Sequence, residues 1–133
     1  MNALPNHRSR FYLGMSLAFL AIALLGFSST FFIPLLQQRF SAPAVIHLHG
    51  LLLFGWLLLL IAQATLVQTR RIGLHRQLGW CGLALGAAIV VSGVAVGLHA
   101  TRRDLAAGPN AFALGQMLNI LIEMALFGGL VAA

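Results

Sequence analysis

Leu51-Leu52-Leu53-Phe54-Gly55-Trp56-Leu57-Leu58-Leu59-Leu60 contains no charge and no alternation of polar with apolar side chains. A strand of a membrane barrel alternates the two over ~10 positions. This stretch does not, so it reads as helix. The same apolar character extends outward to residues 45–67. A helix needs ~20 residues to cross the hydrocarbon core. Lipid offers the backbone no hydrogen-bond partner, so a spanning segment closes its own bonds as a helix or within a barrel.

Three further stretches have this length and character: residues 11–33, 77–98 and 111–132. Short connectors separate them. Pro34 and Pro43 bracket the first, which holds Gln37, Gln38 and Arg39. The second holds Arg70, Arg71, His75 and Arg76. The third holds Arg102, Arg103, Asp104 and the turn signal Gly108-Pro109-Asn110. Connectors this short force neighbouring helices antiparallel. The expected fold is all-α and integral to the membrane: an antiparallel four-helix transmembrane bundle forming one domain over residues 1–133.

Composition agrees. Hydrophobic residues make up 60% of the 133 and charged residues 8%, against ~25% charged in a soluble domain. That excludes a soluble enzyme, a disordered tail and a nucleic-acid module. A single cysteine, Cys81, excludes a disulfide scaffold and reads as a small buried hydrophobe. The net charge of +6 comes from arginine alone, placed between the apolar stretches. Arg8, Arg10, Arg70, Arg71 and Arg76 fall on one side of the membrane, and Arg39, Arg102 and Arg103 on the other. The excess predicts an inner (cytoplasmic) membrane protein with both termini in the cytoplasm. The first stretch exceeds the ~7–15 residues of a signal-peptide core, so it is expected to be retained. The ending Leu130-Val131-Ala132-Ala133 has no flanking charge, which points to a shortened chain or a fragment.

Polar residues inside the spans are the candidate sites. His49, Trp56, Gln63 and Arg70 recur every seven residues, so they share one helix face with a drift of ~20° per step. His47, two residues before His49, points to nearly the opposite side. Gly79, Gly82, Gly86, Gly93 and Gly97 form a second stripe that His75 begins. Gly82-xxx-Gly86 and Gly93-xxx-Gly97 allow close helix approach, or a flat wall beside a macrocycle or a quinone. Gln116, Asn119 and Glu123 share a third face. Glu123 is the one acid within a span, a costly place for an ionisable group. It reads either as a neutral acid bonded across helices to Gln63 or Asn119, or as a proton relay or ion contact.

The histidines decide whether redox chemistry is available. A haem b held by two helices needs one imidazole from each, at matching depth. His47 and His49 begin the second stretch, His99 ends the third, and His75 lies about a bilayer away. His49 with His99 is therefore the expected pair, with His47 as substitute. The same three imidazoles would also suit copper or zinc.

Val45-Ile46-His47-Leu48-His49-Gly50, followed by Trp56, Gln63, Arg70-Arg71 and Leu74-His75-Arg76-Gln77-Leu78-Gly79-Trp80, resembles a group of uncharacterised bacterial polytopic membrane proteins. More distantly, it resembles the cytochrome b561-type haem-bearing bundle. The likeness covers roughly residues 40–98. Its sharpest element is a histidine-arginine-x-leucine-glycine signature, matched by His75, Arg76, Leu78 and Gly79. The resemblance implies that His49 and His75 contact haem or quinone. Members of the group tend to carry a further arginine/histidine loop after the fourth span, which this sequence lacks. A homodimer would complete such a site.

Three functional readings follow. One is a b-type haem or quinone-linked redox membrane protein using His47, His49, His75 and His99. Another is a non-catalytic membrane subunit or assembly factor. The third is a small proton-coupled transporter component using Glu123, Asn119, Gln116 and Gln63. No nucleophile, base and acid set appears, so the reading leans away from an enzyme. The expected partners are the lipid bilayer and a quinone or redox partner.

Overall fold

The computed structural model describes residues 7–39, 41–108 and 111–132, with side chains from Arg10 onward. Every regular element among them is helical: α1 (His7–Phe27), a π-helical turn (Ser28–Phe32), α2 (Ile33–Leu36), α3 (Ala44–Gln68), α4 (Ile72–Ala106) and α5 (Ala111–Ala132). The first three run on as one rod, so four helices are long and apolar enough to cross a membrane. The fold class is the all-α four-helix transmembrane bundle that hydropathy predicts.

The π turn has a local cause. Pro34 carries no N–H, and its ring crowds the carbonyl four residues back. The rod widens by one residue just before it: the Ile33 N–H reaches the Ser28 carbonyl, five residues away. The Ser28 hydroxyl donates to the Leu25 carbonyl at 2.6 Å. The rod then stops at Gln38, whose φ is 54°. The N–H groups of Gln38 and Arg39 close back on the carbonyls of Leu35 and Pro34, the two bonds of a Schellman cap. α3 ends identically. Arg70 has φ 60°, and the N–H groups of Arg70 and Arg71 bond to the carbonyls of Val67 and Leu66.

α4 corrects the expected boundaries. Instead of spanning 77–98 it runs for 35 residues, about 50 Å at 1.5 Å per residue, against a hydrocarbon core of ~30 Å. His75 and Arg76, expected in a connector, lie in its early turns. His99, Arg102, Arg103 and Asp104 lie in its late ones. Apolarity ends where the charges begin, but nothing there breaks the hydrogen-bond ladder. The connector between α3 and α4 shrinks to Thr69–Arg71. The third turn signal falls partly on Pro109 and Asn110, outside the described residues.

Burial is inverted relative to a water-soluble protein. Among the described residues, the hydrophobic side chains fully inside are Ile89 and Ala113, and the buried polar ones are Ser16 and Ser92. Leu25 is 74% exposed, Trp80 75%, Leu130 80% and Leu36 84%. In water so much apolar surface would drive aggregation; in lipid it faces its proper solvent. Cys81, expected to be buried, is exposed as well, on a surface that lipid would cover.

The chain packs as two compact units, Met1–Ala42 with Phe54–Gly82, and Pro43–Leu53 with Leu83–Ala133. In the first, the rings of Phe27 and Phe32 meet Phe54 edge-on at 6.2 and 5.6 Å. Leu59 rests on Gly82, where an added methyl would stand 3.1 Å from it, and Gln63 rests on Gly79. In the second, His49 and Met124 close on Gly93, and Met117 and Ile120 close on Gly97. Gly82, Gly86, Gly93 and Gly97 are all buried. In the first unit the α3–α4 matches run in opposite directions along the two helices, so these helices are antiparallel there. In the second unit the matches of α5 with α4 also run in opposite directions.

Gly97→Val should therefore be costly. A Cβ at Gly97 would lie 3.0 Å from Ile120 Cγ2, and overpacking of this kind costs about 1–3 kcal/mol. Gly14→Ala meets no atom within 4 Å and gains up to ~1 kcal/mol of helix propensity. Thermal melts in detergent, followed by circular dichroism, should show Gly97→Val melting below and Gly14→Ala at or above the parent.

Candidate functional site

The first unit encloses a partly open, largely apolar cavity of about 380 Å³. α1 supplies Tyr12, Ser16 and Phe19, α3 supplies Gln63 and Val67, and α4 supplies His75. The Ser16 hydroxyl is already committed, donating to the Tyr12 carbonyl at 2.9 Å. Two other polar atoms are not. Gln63 Oε1 and His75 Nδ1 are buried without a hydrogen-bond partner. An unmet polar group out of water costs ~1–3 kcal/mol, and two beside one cavity mark a place where an incoming molecule would supply the missing bonds. The volume falls within the ~300–1,000 Å³ of small-molecule sites.

The two atoms ask for different chemistry. An amide oxygen only accepts, so Gln63 Oε1 needs a donor. His75 Nδ1 donates or accepts according to its tautomer. The site lies at the arginine-rich end of the hairpin, since Gln63 precedes the Thr69–Arg71 turn by less than two helical turns and His75 follows it directly.

His49 is placed differently. In the second unit its Nδ1 lies 2.9 Å from Ser92 Oγ, and the Ser92 hydroxyl donates onward to the Ile89 carbonyl at 3.1 Å. A hydroxyl has one proton to give, so His49 Nδ1 is the donor and Nε2 keeps the lone pair. That tautomer suits a metal ligand, but the second ligand is missing. His49 faces Ser92, and His99 lies seven residues further along α4, roughly 10 Å along the axis. The glycine wall at Gly93 is filled by the His49 ring and Met124, so α3 and α4 leave no slot for a macrocycle there. His99 is exposed and His47 half-buried. The structure does not bring His49, His47 and His99 together as a haem pair, and among the described residues no group of three His, Cys, Asp or Glu stands ready for a metal ion.

Gln116, Asn119 and Glu123 share a face of α5 as the spacing requires, and all three are exposed. Asn119 Nδ2 donates to Glu123 Oε1 at 2.7 Å. The bond runs along one helix rather than across two.

Sequence reasoning found Gln63 and His75 without pairing them, and missed Tyr12, Ser16 and Ser92. None of the three carries a signal in the sequence that sets it apart from other small polar or aromatic residues of an apolar helix. The chain matches no protein-family model, no curated protein and no solved structure.

An unmet amide in a cavity is a stability defect. Gln63→Leu removes it at similar volume, so the variant should melt higher than the parent in detergent without added ligand, by about 1–3 kcal/mol. A lower melting temperature would mean that Gln63 is bonded in the ligand-free protein.

Proposed function

We propose that this chain is a quinone-linked integral protein of a bacterial cytoplasmic membrane, with the Gln63–His75 cavity as the seat of the quinone or quinol head. The observation that carries the reading is the pairing of two buried, unpartnered polar atoms with an apolar chamber. A quinone class ligand answers both demands. In the reduced, quinol form one hydroxyl donates to Gln63 Oε1, and the oxygen of the other accepts from His75 Nδ1–H. Its ring and first isoprenoid carbons suit Phe19, Leu60 and Met15, which line the same space. The arginine excess of Arg8, Arg10, Arg70, Arg71 and Arg76 supports a cytoplasmic position for this end and for both termini. The likeness of residues 40–98 to cytochrome b561-type bundles favours redox company, with the quinone half of that reading supported over the haem half.

The second reading, a non-catalytic membrane subunit, is favoured by the polar face that α5 leaves exposed. The transporter reading has less behind it, since Asn119 and Glu123 bond to each other on the outside of their helix.

The test is titration of the detergent-solubilised protein with short-chain ubiquinol and menaquinol analogues kept reduced, read by quenching of Trp56 and Trp80 fluorescence. Saturable binding is expected. Gln63→Leu and His75→Leu should each weaken it roughly tenfold, the worth of one hydrogen bond of ~1.4 kcal/mol, while helicity is retained. Absence of saturable quenching by either analogue, or affinity unmoved in both variants, would sink the proposal.

A further inference from the structure

The packing face and the polar face of α5 are not opposite each other. Ala113, Met117, Ile120, Met124 and Gly128 turn inward: Ala113 is fully buried, and the other four meet Gly97, Gly93 and Val90 of α4. Gln116, Asn119 and Glu123 each sit one residue earlier than an inward one. They therefore lie about 100° around the helix, on its flank, and are exposed there. Glu123 stands near the middle of a 22-residue span, where an ionisable side chain facing lipid is strongly disfavoured. The internal bond to Asn119 uses one donor and one acceptor. The second amide hydrogen of Asn119, its carbonyl oxygen and the other carboxyl oxygen of Glu123 remain to be met.

We propose that this flank of α5 is the interface with a second copy of the chain. The chemistry of the face selects the occupant. All eight arginines lie near the ends of the spans, so at mid-span the groups on offer are hydrogen-bonding ones. The side-chain amides of Asn119 and Gln116 are each both donor and acceptor, and Glu123 adds acceptor oxygens. The face is thus self-complementary: the amide N–H groups of one copy meet amide and carboxyl oxygens of the other. Two copies inserted in the same direction are related by a two-fold axis along the membrane normal, which sets each residue against its own counterpart at equal depth. The face then meets the partner it is chemically matched to. This inference is independent of the quinone proposal, because it uses a different helix face and different residues.

The experiment is oxidative cross-linking in native membranes of Gln116→Cys, placed in a Cys81→Ala background. A disulfide-linked product of twice the 14.2 kDa chain mass is expected. The control Leu118→Cys lies on another face of α5 and is 62% exposed, and it should give no such product. Light scattering of the detergent complexes should then report a dimer for the parent and for Glu123→Gln, whose amide is both donor and acceptor. It should report a monomer for Asn119→Leu/Glu123→Leu, with helicity unchanged in all. The proposal falls if Gln116→Cys links no better than Leu118→Cys, if it links to a protein of another mass, or if the double leucine variant remains a dimer.

Discussion

The three-residue turn from Thr69 to Arg71 sets the register of the first unit, which holds the cavity. Its two closing bonds hold Arg70 in the left-handed region and turn the chain back at once. From there each step along this part of α3 is matched by one step back along α4. That places Gln63 on Gly79 and Leu59 on Gly82. Shifting the turn by one residue would rotate every one of these matches by ~100°, and the glycines would no longer receive the side chains that fill them. In lipid, where there is no hydrophobic drive to bring helices together, such close approach is the main source of association. The turn and the glycine stripe therefore work as a single device: one fixes which residues meet, and the other lets them meet closely.

Against that framework the polar groups inside the helices fall into three conditions. His49 is satisfied through Ser92 and on to the Ile89 carbonyl. The hydroxyls of Thr65 and Thr69 are likewise spent on carbonyls of their own helix. Asn119 and Glu123 satisfy each other in part but face outward. Gln63 and His75 are inside and unmet. The first condition stabilises a fold, the second calls for a neighbour, and the third calls for a ligand. Sequence position alone does not separate them, since all are single polar residues in long apolar helices.

That distinction marks what was legible beforehand. Helix number, helices long and apolar enough to cross a membrane, and the shared faces of α5 and of the glycine stripe follow from hydropathy and the 3.6-residue repeat, and the structure has them. The ends of α4 did not follow. Hydropathy locates the lipid boundary, whereas a helix ends where its hydrogen bonds do. Hydropathy therefore sets His75 in a connector and His99 at a helix end, when both lie in continuous helix. The error propagates. With the connector drawn from about Gln68 to Arg76, the α3–α4 register slips by most of a turn, and His99 comes closer to His49 than it is. The cavity was illegible for a different reason: half its wall comes from α1, and nothing in a sequence states which faces of sequentially distant helices meet.

The same register separates the two redox ligands considered. A haem b held between α3 and α4 needs its two imidazoles level with each other and a slot as wide as the macrocycle. Close packing at Gly82 and Gly93 removes the slot, and ~10 Å of axial offset separates the histidines. A quinol needs neither. It asks for a narrow apolar pocket with one donor and one acceptor. Gln63 and His75 lie on opposite sides of the tight turn, so they come to similar depth without any long-range coincidence. Gln63 Oε1 and His75 Nδ1 are held away from water, which makes their unmet bonds worth filling.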